Sequence, residues 1–365
     1  MDFGLSEEQR LFQDTLVRFL AETVPVARVR EIVQTESGHD RAVWTALAEL
    51  GVAGVLVPEA FGGGGLGLLD AALAMQALGG AATPAPFLGS AVMAPVALRE
   101  AGSPAQQKEW LPRIALGECC VGIAANEVFS RREDARVRLS RGRLRGHSLF
   151  AVDATGADVF LVAAEDDALA IVPRDAEGLS VEPLSTVDRT RQVGALVLDG
   201  VQPAETLREG AGAARAVERM LDAGRVALAA DVLGACDRAI EMSVAYAKQR
   251  EQFGRVIGSF QAVKHMCAEM VAELEPARSL FWYAAHAFDA VPQDGALTAA
   301  HAKAHLAEVG TAIAKTATEV HGGIGFTDAH DLHFFFKRVL LDRQLLGTPE
   351  LLRSRAARLQ GWEAA

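Results

Sequence analysis

The chain has 365 residues and a net charge of −11, and half of its residues are apolar while 23% are charged. Such a composition can build a sizeable core and excludes wholesale disorder. On a prior of ~100–200 residues per domain, the length predicts two to three structural units. The negative charge repels phosphate backbones, so nucleic-acid binding is not expected unless a local basic patch outweighs the total.

Cysteine spacing and the longest uncharged stretch bear on where the protein works. Cys119, Cys120, Cys236 and Cys267 form no CxxC pair and no spacing typical of a disulfide framework or a zinc site, which predicts reduced thiols in a cytoplasmic protein. Residues 71–98 carry no charge, and a membrane helix needs ~20 residues. Glycines and prolines interrupt this stretch and no signal sequence precedes it. We therefore expect a buried helix followed by a proline-rich loop, and no membrane partner.

Helical and strand patterns follow one another in blocks. Ser6 and Gln9 form a capping-box pattern ahead of an apolar repeat at helical spacing. Between about Val121 and Leu207, short apolar or alternating runs divided by Asp, Gly and Pro are typical of strands. Long helical segments return beyond Gly212. Helices, then strands, then helices predict an α+β fold. The expected domains are residues 1–120, 121–208 and 209–365.

Several common catalytic patterns are incomplete. His301 and His305 lie four residues apart on a predicted helix, but no third ligand accompanies them, so a surface or packing role is favoured over a metal site. No GxSxG sequence supports a serine nucleophile. The glycines of residues 321–325 follow a helix instead of opening one, and so match neither a P-loop nor a dinucleotide fingerprint. We predict no metal site.

Two other segments are more informative. In residues 246–265, a predicted helix ends at Arg250, a glycine-containing turn with basic groups follows, and a new helix begins. An arginine at a helix end, next to free N–H groups at a helix start, can bind a pyrophosphate, although an ordinary turn between helices explains the same residues. The second segment, residues 319–327, has the sequence Glu-Val-His-Gly-Gly-Ile-Gly-Phe-Thr.

In this order and spacing, the motifs resemble the acyl-CoA dehydrogenase family over nearly the whole chain. The resemblance implies an N-terminal helical domain, a middle β domain built as a barrel or sandwich, and a C-terminal four-helix bundle. This fold agrees with the helix and strand pattern above. The matching segments are residues 1–10, the Val-Pro-Glu stretch of residues 57–67, the strand-rich middle, the RxQFG-type turn at 250–254 and the HGGxG block at 321–325.

The resemblance also implies an FAD cofactor and an acyl-CoA substrate. In the family, FAD lies between the middle domain and the C-terminal bundle, and its ADP half extends into a neighbouring subunit. Glu319 stands where many relatives have Gln, and a diphosphate would repel this acid unless it points away or is protonated. Asp222 and Arg225 match an Asp-x-x-Arg that contacts CoA in relatives. By similarity, the residues expected to hold FAD are Arg250, Gln252, Phe253, Glu319, Gly322, Gly323 and Thr348.

The family's catalytic glutamate is missing from both of its usual positions. Relatives remove the α-proton of the thioester with a glutamate placed before a C-terminal Gly-Thr pair or before the arginine matching Arg225. These positions hold Leu346 and Gly224, so no catalytic residue is assigned. Residues 126–134 replace a TEPxAGSD-like segment that holds the flavin ring, and residues 150–152 (Phe-Ala-Val) replace an F-I-T/S element. The ring-side contacts are therefore altered, while those offered to a neighbour's ADP half are retained.

Three functions are consistent with this pattern. We favour a subunit without its own base that completes the FAD site of a homologous dehydrogenase chain, as in hetero-oligomeric family members that act on CoA thioesters of steroid side chains. A self-sufficient homo-oligomeric dehydrogenase would need another base, such as Glu127, Glu133 or Glu319, and none of these lies at a family base position. A scaffold that binds neither FAD nor CoA is the third possibility. The sequence does not fix the acyl chain.

Overall fold

The computed structural model describes residues 4–125, 135–165 and 167–362. Its N-terminal part is helical and also contains a short 3₁₀ turn and a π-helical turn. The helices are α1 (Glu7–Thr23), α2 (Val26–Ile32), α3 (Arg41–Glu49), α4 (Leu68–Gly80), α5 (Ala94–Ala101) and α6 (Pro104–Ala115).

Side-chain caps define the starts of several of these helices. The Ser6 hydroxyl accepts a hydrogen bond from the Gln9 N–H, and the Gln9 side chain accepts one from the Ser6 N–H. Ser103 and Gln106 form the same reciprocal pair at the start of α6. These bonds satisfy N–H groups that have no partner inside the helix. The capping box predicted for α1 is therefore confirmed.

The uncharged stretch 71–98 is helical over more of its length than the sequence predicts. A short proline-containing loop follows α4, and the chain then returns to helix at Leu88 through the π-helical turn Leu88–Met93. Pro95 lies at the start of α5, where a missing N–H is tolerated, so it does not extend the loop. Among the described residues, no helix is both long enough and apolar enough to cross a membrane.

The middle of the chain forms one mixed sheet. In the described residues the strand order is β6-β7-β3-β1-β4-β5-β8, with β2 paired to β3. The β1–β4 pair is parallel and the other pairs in this sheet are antiparallel. Helices and strands thus occupy separate blocks, which confirms the predicted α+β class. The strands are β1 (Val121–Ala124), β2 (Arg136–Ser140), β3 (Arg143–Val152), β4 (Val159–Ala164), β5 (Ala168–Pro173), β6 (Leu179–Pro183), β7 (Val193–Val201) and β8 (Glu205–Glu209).

Alternation along the strands determines which side chains enter the sheet core. In β2 and β3, Val137 and Leu144 are buried, whereas their neighbours Arg138 and Arg145 are exposed. Phe160 of β4 belongs to the same apolar cluster as Val137 and Leu144. Because successive side chains of a strand point to opposite faces, one face of the β2–β3 pair is apolar and the other is charged.

Long helices make up the C-terminal part. Helix α9 contacts α8, α10 and α11, and Arg338 of α10 forms hydrogen bonds with Asp231 of α7. These helices confirm the predicted C-terminal helical block. The elements are α7 (Ala211–Gln249), β9 (Glu251–Gln252), β10 (Arg255–Val256), α8 (Gln261–Ala290), α9 (Pro292–His321), α10 (Leu332–Gln344) and α11 (Pro349–Leu359).

The chain contacts divide the protein into two compact units. The first contains Met1–Val29, Ala72–Thr83 and Leu228–Ala365, and the second contains Arg30–Ala71 and Pro84–Ala227. The first unit therefore holds α1 and the C-terminal helices, and the second holds the mixed sheet. Helix α7 contributes residues to both. The three domain boundaries expected from the sequence stay a prediction.

Candidate functional site

A tight hairpin follows α7 and places an aromatic ring in solvent. Gln252 of β9 pairs with Arg255 of β10, and the two residues between them, Phe253 and Gly254, have φ angles of +54° and +75°. Positive φ at both positions is typical of the type I′ turn. Glycine adopts this conformation without strain, but a bulky side chain rarely does. Phe253 is 92% exposed, so burial within the chain does not account for a phenylalanine there.

Two cationic side chains flank this turn. Arg250 is exposed and forms no ion pair within the part of the chain that the structure describes. The Arg255 guanidinium carbon lies 4.0 Å from the centre of the Phe260 ring, and the Phe253 ring meets Phe260 edge-on at 6.2 Å. The cation–π contact restrains Arg255. The guanidinium of Arg250 remains available to an anion.

A glycine loop follows α9. Gly322 has φ +64° and ψ −143°, a backbone conformation that side chains oppose. A Cβ atom added at Gly322 or Gly323 would meet no atom within 4 Å, so packing against described residues does not require glycine there. Ile324 is exposed and Phe326 is 80% exposed. The loop thus presents open backbone and apolar side chains to its surroundings.

A cluster of three side-chain rings connects the start of the hairpin with the start of the glycine loop. Tyr246, near the end of α7, stacks on His321, at the end of α9, with 4.7 Å between ring centres. His330 lies 4.6 Å from His321 and 6.2 Å from Tyr246 between ring centres. Two segments that are far apart in the sequence therefore leave the helices next to one another.

The hydrogen bond of His321 defines its tautomer. Its Nδ1 lies 2.7 Å from the carbonyl oxygen of Ala317, so Nδ1 carries the proton and donates it. Its Nε2 is buried and has no hydrogen-bond partner among the described residues. Burial lowers the pKa of His321 below its ordinary value, and the nearby His330 lowers it further, although the Ala317 bond partly opposes this. His321 is therefore neutral near pH ~7.

The remaining residues predicted to hold a cofactor lie at helix ends. Glu319 is exposed on the last turn of α9, so its carboxylate is solvated. Thr348 caps α11, and its hydroxyl accepts a hydrogen bond from the Leu351 N–H. The structure brings most of the predicted set onto the hairpin and the glycine-loop end of α9, whereas Thr348 starts a separate helix. The hairpin and loop set comprises Arg250, Gln252, Phe253, Glu319, Gly322 and Gly323.

Asp222 and Arg225 form a buried ion pair on α7, in the second unit. The Arg225 Nη1 donates to the Asp222 Oδ1 at 2.6 Å, and only 1% of the Arg225 side chain is exposed. The Oε2 of Glu218 lies 4.0 Å from the same nitrogen. Residues three apart on a helix share a face, and an ion pair in a dry environment is strongly oriented. Asp222 therefore neutralises and fixes the guanidinium.

Neither family base position carries a titratable group. Leu346 is 2% exposed and has φ +55°, and Gly347 follows with φ +114°. Gly224 is buried inside α7. A hydrocarbon side chain and a bare backbone cannot accept a proton at either position.

The structure describes only some of the residues that the sequence places near the flavin ring. Residues 126–134, with the candidate bases Glu127 and Glu133, lie outside the described residues. Ala151 and Val152 are buried in β3 and lack a hydroxyl, and Phe150 has φ +56°. The third candidate base, Glu319, contacts solvent at the end of α9.

Metal chemistry receives no support from the described residues. His301 and His305 are both exposed on α9. In residues 4–125, 135–165 and 167–362, no group of three or more His, Cys, Asp or Glu side chains is placed to hold a metal ion.

Sequence reasoning did not identify Tyr246, His330 or Phe260 as supports of the site. All three are aromatic or imidazole residues next to the two glycine-containing motifs, which is a signal that the sequence does contain. Their partners could not be paired, however, because stacking between α7 and α9 depends on how the helices pack.

Comparison with known proteins finds similarity to one family along the chain. The model of the acyl-CoA dehydrogenase N-terminal domain matches residues 6–118, and that of the C-terminal domain matches residues 210–360. Acyl-CoA dehydrogenase IpdE2 of Mycobacterium tuberculosis is 33% identical over 349 residues, which cover 95% of this chain and 96% of the relative. IpdE2 of Mycolicibacterium smegmatis is 31% identical over 346 residues, which cover 94% and 96%.

Solved structures extend this similarity to the fold. A chain of the ChsE4-ChsE5 complex from Mycobacterium tuberculosis superposes with a TM-score of 0.90 at 29% identity, over 100% of both chains. A variant of the Tcur3481-Tcur3483 steroid ACAD has a TM-score of 0.87 at 31% identity, over 97% of this chain and 98% of the other.

Proposed function

Because the chain belongs to the acyl-CoA dehydrogenase family, we propose that it is a subunit of an FAD-dependent acyl-CoA dehydrogenase that completes the FAD site of a homologous partner chain. Members of this family are FAD-dependent oxidoreductases that act on CH–CH groups. The partner chain, in this proposal, supplies the catalytic carboxylate.

The hairpin after α7 is the observation that carries the proposal. Arg250 is an exposed guanidinium without an ion pair among the described residues, and such a group pairs well with a diphosphate. Phe253 has a strained backbone and an exposed side chain, and a purine ring could stack on its phenyl ring. When bound, FAD would accept the β-hydride of the acyl chain.

The glycine loop fits the same half of the cofactor. Gly322 and Gly323 leave open space where a Cβ atom would lie, so a phosphate or ribose could approach their backbone closely. Glu319 contacts solvent and can point away from a diphosphate. Gln252, exposed in β9, can donate and accept hydrogen bonds at the edge of this surface. Thr348 lies apart from this surface, and its hydroxyl already bonds the Leu351 N–H and the Glu350 side chain.

The proton side of the reaction requires a group that this chain does not offer at the family positions. Removing the α-proton of a thioester needs a well-placed carboxylate, because this proton is weakly acidic. Leu346 and Gly224 offer none. The buried side chain of Leu346 would instead exclude water and keep its surroundings apolar. This absence supports the proposed division of roles between unlike chains.

The proposed substrate is a CoA thioester. The Asp222–Arg225 pair supports this role, since it occupies the Asp-x-x-Arg positions that contact CoA in relatives and its ion pair fixes the guanidinium. Two similar structures are named as the ChsE4-ChsE5 complex and as a steroid ACAD formed by Tcur3481 and Tcur3483. By analogy with them, we propose a hetero-oligomer and favour a steroid-derived acyl chain.

Co-expression with a homologous dehydrogenase chain tests the proposal. We expect the chain alone to be colourless and inactive, and the two-chain complex to be yellow and to oxidise an acyl-CoA. A chain that is yellow on its own and bleached by an acyl-CoA would instead support a self-sufficient dehydrogenase. Failure to form a complex, with no thermal shift from any CoA ester, would support a scaffold without cofactor.

A further inference from the structure

A basic surface covers the hairpin formed by β2 and β3. We define the basic hairpin as residues 136–147, which contain five arginines, one histidine and no carboxylate. Its five arginines are all exposed, although the whole chain has a net charge of −11. The sign of this surface is therefore opposite to that of the protein as a whole.

Strand register places like charges directly opposite one another. Arg138 pairs with Arg145 across the two strands, and both side chains carry a positive charge. Directly opposed residues share a face with Cβ atoms about 4.5–5.5 Å apart, and like charges there are destabilising. The inner face needs only apolar residues such as Leu144 to pack the sheet. Folding alone therefore does not explain a row of arginines on the outer face.

Nearby carboxylates balance only part of this charge. Arg145 pairs with Asp199 at 2.6 Å, and Arg138 pairs with Glu165 at 3.3 Å. The Asp199 side chain is 82% exposed, so solvent screens this pair. Arg136 and Arg141 form no ion pair in the part of the chain that the structure describes. Among the described residues, a positive surplus therefore remains on the outer face.

We propose that the basic hairpin docks the acidic surface of another protein in a transient, salt-sensitive contact. Complementary charge raises association rates and orients partners without a large buried area. The proposal does not depend on cofactor binding.

The composition of the surface favours a protein over a nucleic acid. Asp199 and Glu165 lie among the arginines and would repel a uniformly charged phosphate backbone, whereas a protein surface can offset them with its own cations. Residues 136–147 contain no Phe, Tyr or Trp side chain on which a base could stack. The net charge of the whole chain also repels a long polyanion.

Binding of a short acidic peptide with lysines interspersed among its glutamates to the full chain, followed by fluorescence anisotropy, tests this proposal. We expect measurable binding at low salt that weakens as salt is added. The double variant Arg136→Glu/Arg141→Glu should bind at least about tenfold more weakly, since it reverses two unpaired charges. The matched control is Arg10→Glu/Arg18→Glu, which changes the net charge equally but alters exposed arginines of α1. This control should bind close to the wild type.

Two further measurements keep the test decisive. The neutral variant Arg136→Gln/Arg141→Gln should show an intermediate affinity, and circular dichroism should show each variant folded. A short DNA duplex and phosphatidylserine vesicles should bind more weakly than this mixed-charge acidic peptide. The proposal is overturned by wild-type affinity in folded hairpin variants, by an equal loss in the α1 control, or by tighter binding of the duplex or the vesicles.

Discussion

The ring of Tyr246 stacks on the imidazole of His321, with 4.7 Å between ring centres and 26° between ring planes. This contact connects the end of α7 with the end of α9, and it therefore positions the hairpin against the glycine loop. Aromatic pairs contribute about 0.5–1.5 kcal/mol beyond their buried area. A contribution of this size can hold the start of the hairpin next to the start of the glycine loop.

His321 should make stability depend on pH. Its pKa is lowered mainly by burial and further by His330, so in the window between the folded pKa and the ordinary value of 6.5 the unfolded chain binds more protons. The stabilisation is fully present above the unfolded value and is lost as the pH falls through the folded pKa. We expect a slope of at most about 1.4 kcal/mol per pH unit from this residue.

Urea unfolding of wild type and His321→Phe across this range measures the effect. Phenylalanine keeps a ring against Tyr246 but cannot titrate, so the difference between the two profiles isolates His321. A difference that stays constant below pH 6.5 would contradict the assignment.

Phe253→Asn should raise stability while weakening cofactor retention. Asparagine tolerates positive φ far better than phenylalanine, so relief of the turn should add about 0.5–1 kcal/mol to the free energy of unfolding. Loss of the exposed ring should lower the flavin-to-protein ratio of the two-chain complex. Phe253→Leu serves as the control, because it keeps the strain and removes only the aromatic character. An unchanged flavin ratio in both variants would remove the proposed role of the ring.

The Arg338–Asp231 pair should be essential to the helical unit. Two hydrogen bonds of 2.7 and 2.9 Å join these side chains, and both are almost fully buried. Asp231→Asn removes the buried carboxylate charge that faces the Arg338 guanidinium, which should cost about 3–5 kcal/mol. The exposed Arg343–Glu350 pair provides a control, since solvent screens it and Glu350→Gln should change stability far less. Equal effects of the two substitutions on the denaturation midpoint would argue against this difference.

Leu346→Glu should destabilise the protein in a pH-dependent way. Leu346 is 2% exposed, so a carboxyl there would have a raised pKa and would ionise more readily in the unfolded chain. The variant should lose about 2–4 kcal/mol at neutral pH and recover part of this in acid. Leu346→Gln should show a loss that does not vary with pH. Identical pH profiles for the two variants would show that the position is accessible to water.

Much of the fold follows from local patterns in the sequence. The capping box of Ser6 and Gln9 predicts the start of α1, and the change in periodicity near Val121 predicts the sheet. The return to helix at Leu88 could not be predicted, because local proline content opposes it and tertiary packing overrides that preference. Propensity describes single segments, and packing decides between them.

The sequence likewise predicts some features of the candidate site and not others. Motifs identify Arg250 and Gly322 as candidates, but the strain at Phe253 and the stacking of His321 depend on backbone angles and on helices meeting far along the chain. The charged face of the basic hairpin likewise depends on strand register, which the turn at Arg141 fixes with φ +51°.

The most direct test of the central claim is the flavin-to-complex ratio of the two-chain assembly when only this chain carries Arg250→Ala. The account predicts a ratio well below that of the wild-type complex, because the diphosphate loses its guanidinium partner. Arg215→Ala, which removes another exposed arginine of α7, should leave the ratio unchanged. A wild-type ratio in the Arg250→Ala complex, or flavin held by this chain alone, would contradict the account.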